Sequence, residues 1–379
     1  LKVETRTSKV RALAPEIGLS FAAVAGSLLV YLPFWGSMNT VYRVWDGPNY
    51  LTIAKTLYTG IRDDNPLLAY VYVKSYFFVH LPFYPLLIRA FSFVGYQRSM
   101  LLVSVVSTVV ATILFYRLLR DVWKVASAGW LTLVFLFLPP RWLLYRSVGS
   151  TEATYIMLVL ASMHLFERKR TAGASLVAGL AALTRISGVM IAPAYGLLLV
   201  QRKRWREIPW LLLVGLPLAL YFLFCWKETG NFFAYFVPHE GKTSRFLPFG
   251  FLPQLFAQGL YHHAEFYILL ALVYAVGISR IRAYETAFAY SVFEILLHVC
   301  VSTEEWSRYW LAMAPFALIL GYRDILASRA FKLLFPVFAL MSFVYAWGTL
   351  PINVCREDIY SHLMWHLGLW KEFLASIGR

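Results

Sequence analysis

Apolar residues in this chain come in runs too long for a water-soluble core, at residues 17–35, 99–116 and 333–347. Crossing the hydrocarbon of a bilayer takes roughly 17–25 mostly apolar residues. Composition points the same way: 60% of the 379 residues are hydrophobic and only 15% are charged, against about 45–50% and 25% in soluble domains. A cytosolic enzyme, a nucleic-acid-binding domain and a disordered chain are therefore excluded. What remains is an all-α polytopic membrane protein.

The net charge of +15 would suggest nucleic acid as a partner on a soluble domain. Here it reads as the crowding of basic residues at cytoplasmic helix ends. Apolar runs separated by charges give about eleven crossings, starting near residues 17, 99, 123, 151, 172, 187, 208, 265, 284, 309 and 333. With the N-terminus inside, residues 1–16, 117–124, 167–170, 201–207, 279–283 and 323–332 are cytoplasmic and hold more than half of the 35 lysines and arginines. That is the sense the positive-inside rule demands. The basic start followed by an apolar run reads as a retained anchor, since no small-x-small cleavage site precedes the next loop. Cys225, Cys300 and Cys355 are too scattered for a disulfide framework or a metal cluster.

Two basic clusters, Arg168-Lys169-Arg170 and Arg202-Lys203-Arg204, flank about 30 mostly apolar residues. Both clusters read as cytoplasmic, so the chain enters and returns between them, with Arg185 at the outer tip of a short hairpin. A single tilted helix with a snorkelling arginine is the competing reading. On this topology residues 1–350 form one transmembrane domain, with outer loops at 36–98 and 227–264 and an outer tail at 351–379. The first loop carries interfacial helices or a re-entrant hairpin. His80, His239, His262, His263, His362 and His366 all fall outside, so groups suited to acid–base work collect on the outer face.

The sharpest local sequence is Arg43-Val44-Trp45-Asp46-Gly47-Pro48-Asn49-Tyr50, about ten residues past the first crossing. A Gly-Pro step after Asp46 places its carboxylate at a helix start. It is either an N-cap or a catalytic group. This segment resembles the first-loop Trp-Asp-Gly motif of GT-C membrane glycosyltransferases, in particular the PIG-V-like family that includes the second mannosyltransferase of GPI-anchor assembly. Four more segments are similar to that family's, in order: Leu81-Pro82-Phe83-Tyr84-Pro85, Ser150-Thr151-Glu152-Ala153, Thr184-Arg185-Ile186-Ser187-Gly188 and Ser307-Arg308-Tyr309. Ile186 and His80 depart from the pattern, and the tail after 350 is not covered by it.

The resemblance implies a GT-C-like bundle and inverting transfer of one sugar, mannose by this family, from a polyprenyl- or dolichyl-phosphate carrier to an acceptor hydroxyl on a glycolipid, glycan or protein. The membrane would be the plasma membrane in a prokaryote or the endoplasmic reticulum in a eukaryote, with the site on the extracytoplasmic or luminal face. Such chemistry needs a carboxylate to take the hydroxyl proton, for which Asp46 is the candidate. It also needs cations aimed at the leaving phosphate: Arg185 and Arg308, which could equally be interface anchors, and Arg245 in the second outer loop. Candidate substrate contacts are Arg43, Trp45, Tyr50, Tyr84, Glu152, His239, Glu304 and Glu305, with the two last also placed to pair with Arg308. Asp63-Asp64 invites a metal reading, but a monophosphate donor does not call for one, so no cofactor is expected. Two rivals remain. Glu294 and His298 share a helix face and suit a proton-coupled transporter or flippase, and a GT-C-like ligase would move a whole glycan.

Overall fold

A computed structural model describes residues 6–71, 74–239, 248–301 and 305–378 of the chain. Among these residues the chain is helical throughout, and the one strand-like pairing is an isolated antiparallel bridge between Val44 and Val354. Five helical stretches are long and apolar enough to cross a membrane by themselves: Ala14–Phe34, Tyr96–Val122, Trp205–Thr229, Tyr261–Arg280 and Arg329–Ile352. The other apolar runs make shorter helices, among them Ala128–Phe137, Glu152–Glu167, Thr171–Ala182, Ile191–Gln201 and Glu285–Val299.

The short helices stop where the sequence breaks them, and side chains then take over the freed backbone groups, as a bilayer requires. Pro140 has no N–H for the carbonyl of Leu136. Arg146, wholly buried, donates to that carbonyl from Nε at 3.0 Å. Its Nη1 reaches Ala23 O at 2.9 Å and Ser27 Oγ at 3.0 Å, which ties the first span to the break. The middle of the bundle is joined by small residues and hydroxyls, the usual glue between helices in lipid. Ser107 meets Thr154 at 3.0 Å, and Ser162 donates to Ala174 O at 2.8 Å across a face of buried Ala174, Ala178, Ala181 and Ala182.

Thr171–Ala182 and Ile191–Gln201 form a hairpin. Between them Arg185 is extended, and a single 3-10 stretch, Ile186–Met190, turns the chain back. Gly188 makes this possible: a Cβ there would lie 2.5 Å from Ala182 N and 2.7 Å from Ala181 C, both backbone atoms that cannot swing away. The tip is bonded to the first loop by Phe83 N donating to Leu183 O at 3.1 Å.

The first loop is a succession of short helices, Asn39–Tyr42, Gly47–Thr56, Leu68–Val71, Lys74–Val79 and Phe83–Ala90. It joins the last residue of the first span to the start of Tyr96–Arg117, so it lies over one end of the bundle. The tail folds back as two helices, Glu357–His366 and Trp370–Ser376, onto the same end, where Tyr360, Leu363 and Met364 are buried.

Overpacking a filled site costs about 1–3 kcal/mol. Gly188→Ala is expected to lower the thermal unfolding midpoint in detergent accordingly. Gly215→Ala, inside the Leu212–Thr229 helix with nothing within 4 Å of its Cβ, serves as the comparison and should hold or slightly raise the midpoint. Equal midpoints for the two variants would show that the hairpin does not need the close approach.

Candidate active site

Four chain segments far apart in sequence deliver two carboxylates and two guanidiniums to that end of the bundle. Glu152 opens the Glu152–Glu167 helix and is buried. Its Oε1 accepts from Arg308 Nε at 2.5 Å and from Arg185 Nη1 at 2.7 Å. Arg308, on the short Trp306–Tyr309 helix, reaches on from Nη2 to Asp46 Oδ2 at 3.1 Å. Arg185 also donates to Thr151 Oγ1 at 3.3 Å. Each guanidinium lies over a ring: Arg308 over Tyr145 at 4.6 Å and Arg185 over Tyr309 at 5.1 Å, the arrangement of a cation–π contact.

Asp46 stands directly before the Gly47–Thr56 helix, yet its side chain makes no capping bond. The carboxylate turns the other way, toward Arg308 and toward His80 Nε2 at 3.5 Å from Oδ1. His80 is held in turn: Tyr58 OH donates to its carbonyl at 2.5 Å, and Tyr50 packs edge-on against its ring at 5.2 Å. Its Nδ1 lies 3.3 Å from Tyr76 O. Burial would push the Asp46 carboxyl up, but the hydrogen bond from His80 and the charge of Arg308 outweigh it and hold the group below the usual aspartate value.

Glu152, Tyr155, Arg185, Arg308 and Tyr309 line a narrow crevice beside this network, too tight as it stands to hold a water molecule. Among the described residues, Arg185 donates from Nη1 alone and Arg308 from Nε and Nη2. Nε and Nη2 of the first and Nη1 of the second are thus available to a further acceptor. Asp46 is the more accessible of the two carboxylates, its side chain 16% exposed against 3% for Glu152.

The remaining sequence candidates are distributed differently. Tyr50 lines the back of the site through His80, whereas Tyr84 is wholly buried and donates to Met100 O at 2.9 Å, a packing role. Trp45 is half exposed next to Asp46. Arg43 points away, to the tail: its Nη1 donates to Cys355 O at 2.7 Å. Glu305 pairs with Arg141 at 2.7 Å, so the carboxylates beside Arg308 are Asp46 and Glu152. Arg245, Glu304 and the side chain of His239 lie outside the described residues. Asp63 pairs with Lys74 at 2.7 Å and Asp64 with Arg62 at 2.8 Å, and no group of three or more potential metal ligands occurs among the described residues. Glu294 and His298 do share a face, 3.9 Å apart, with Tyr155 OH donating to Glu294 Oε1 at 3.3 Å and Ser187 donating to Tyr155 at 3.1 Å. That chain of hydroxyls links the pair to the turn carrying Arg185.

His80, Tyr145, Tyr309 and Arg141 are the residues that sequence reasoning passed over as site members. His80 had two signals, its place on the outer face among histidines suited to acid–base work and its position immediately before the Leu81-Pro82 stretch. Breaking a buried ion pair by removing one partner costs about 3–5 kcal/mol. Arg308→Ala is expected to destabilise the protein on that scale in detergent unfolding, and Arg308→Ala with Glu152→Gln by clearly less than the two single effects combined. Simple additivity would show that the contact carries no coupling.

No protein-family model matches the sequence, and no curated protein matches it. Among solved structures the chain is similar to ArnT from Cupriavidus metallidurans bound to undecaprenyl phosphate, at 13% identity over 94% of this chain and 74% of that one, with a TM-score of 0.53. At that identity the likeness speaks for the fold. The chain is an integral membrane protein with an all-helical, GT-C-like fold.

Proposed function

We propose that this protein is an inverting glycosyltransferase that moves a single sugar from a polyprenyl- or dolichyl-phosphate carrier to an acceptor hydroxyl. The observation that carries the reading is the Asp46–Arg308–Glu152–Arg185 network, with an accessible carboxylate at one end and unused guanidinium donors at the other. ArnT, whose fold it shares, is bound to undecaprenyl phosphate, and a polyprenyl phosphate is an acceptor those donors suit. Mannose is the sugar favoured by the PIG-V-like motifs, and a glycolipid, glycan or protein is the acceptor. The crowding of basic residues at the opposite helix ends supports a site on the extracytoplasmic or luminal face.

In this reading Asp46 takes the acceptor's hydroxyl proton as that oxygen bonds to the sugar's anomeric carbon. The bond from that carbon to the phosphate oxygen breaks, and a single displacement inverts the centre. Negative charge grows on the departing lipid phosphate, where Arg185 and Arg308 supply charge-assisted hydrogen bonds in a site with little water. Glu152 is the counter-ion that aligns both guanidiniums.

Wild type and Asp46→Asn, each given polyprenyl- or dolichyl-phosphate-mannose and a membrane lipid extract, provide the test. Labelled sugar should pass to a product with wild type, and about 10²–10⁴-fold more slowly with the variant, the span of general-base catalysis. A wild type that transfers sugar from no lipid phosphate refutes the reading, and an undiminished Asp46→Asn moves the base elsewhere.

The pH profile is a second check. Asp46 acts as a base only when ionised, so the rate falls as pH drops through its pKa. Because that pKa is depressed, the acid limb should lie below about 3.9, the ordinary aspartate value. His80→Ala removes one of the lowering interactions while burial still acts, so the limb should move to higher pH. A limb unmoved by His80→Ala would remove His80 from the acid–base unit.

A further inference from the structure

Asp46 is preceded by a backbone conformation that its own sequence does not favour. Trp45 has φ +43°, in the left-handed region that side chains with a Cβ avoid unless surrounding structure holds them there. Two backbone hydrogen bonds, one at Trp45 N itself and one at Arg43 O, flank Val44 just before the turn, and both come from the far end of the chain. Trp45 N donates to Asn353 O at 3.1 Å, and Cys355 N donates to Arg43 O at 2.8 Å. Together they make the Val44–Val354 bridge. Arg43 adds a side-chain bond to Cys355 O at 2.7 Å and an ionic contact with Glu357 at 3.7 Å.

The tail that supplies these groups is itself fastened to a membrane span. Gln97, in the first turn of Tyr96–Arg117, donates from Nε2 to Tyr360 OH at 2.8 Å and from its backbone N to Glu372 Oε2 at 3.0 Å. Tyr360, Leu363, Met364 and Phe373 are buried beneath the two tail helices. A line of contacts therefore runs from the span, through the tail, to the residue before Asp46.

We propose that residues 353–376 are a positioning clamp for Asp46, holding Trp45 in its left-handed conformation so that the carboxylate faces Arg308 and the acceptor rather than capping the helix that follows. Arg43 is a positioning residue in this device. The inference rests on the reading of Asp46 as the general base.

Two full-length variants test it. Cys355→Pro removes the N–H that serves Arg43 O, and Arg43→Gln removes the side-chain bonds while leaving the backbone pair. Hydrogen exchange of residues 43–50 should rise about tenfold in Cys355→Pro and less in Arg43→Gln, with kcat falling about tenfold or more and the donor KM within about twofold, the signature of lost transition-state alignment. Val44 and Val354 are opposed as a non-hydrogen-bonded pair, with Cα atoms about 4.5 Å apart in such pairs, within disulfide reach. Oxidised Val44→Cys/Val354→Cys on the Cys355→Pro background should therefore restore both protection and kcat, and reduction should abolish the rescue. Unchanged exchange, or raised exchange with kcat within about twofold of wild type, overturns the clamp. If wild type itself transfers no sugar, the functional reading fails, and exchange with and without the disulfide still decides whether the tail holds this loop.

Discussion

A single carboxylate oxygen, Glu152 Oε1, takes hydrogen bonds from two guanidiniums, and the architecture of one end of the bundle follows from that sharing. Charges taken out of water are tolerated only when paired with good geometry. Arg308 is therefore free to be buried only if Glu152 and Asp46 arrive together, and Arg185 only if its hairpin tip reaches the start of the Glu152–Glu167 helix. This accounts for how short the intervening elements are. A hairpin of two helices that ends at Arg185, and a four-residue helix that ends at Tyr309, deliver side chains to a common depth that continuous spans would carry past.

Irregular backbone has to be satisfied from within the protein when the surroundings are hydrocarbon. The fold meets that demand with side chains at several breaks. Arg146 serves the carbonyl that Pro140 leaves without a donor, Tyr58 the carbonyl of His80, and Tyr221 the carbonyl of Phe78 at 2.6 Å. These bonds tie together a first loop of short helices whose Leu51, Ile53, Phe77, Tyr84 and Ile88 are buried. The loop is thereby rigid enough to present Asp46 and His80 as a fixed pair.

Several groups that look alike in sequence are separated by this framework. Glu152 and Glu305 both precede or sit among short polar stretches at helix ends, but Glu152 is central to the network and Glu305 is engaged by Arg141. Arg43 and Arg185 both flank motif residues, yet one serves the tail and the other the crevice. Glu294 and His298, which by sequence suggest an intramembrane proton path, are joined through Tyr155 and Ser187 to the turn behind Arg185.

The sequence alone determined the solvent, the all-helical class and much of the punctuation, though of about eleven crossings read from it five are, among the described residues, helices long and apolar enough to span. Long apolar runs demand lipid, prolines and the Thr184–Gly188 stretch dictate breaks, and Asp46, Glu152, Arg185 and Arg308 stand out as charges at the ends of apolar runs. Only the tertiary structure decided which charge meets which. Arg308 lies 156 residues from Glu152 and 262 from Asp46, and pairing over such separations leaves no trace in local periodicity. The same holds for His80, whose ring gains meaning only against Asp46, and for the tail, whose backbone amides bind Arg43 and Trp45 through groups that every residue possesses. Main-chain donors and acceptors carry no sequence signature, so a contact built from them becomes visible only when the chain is folded.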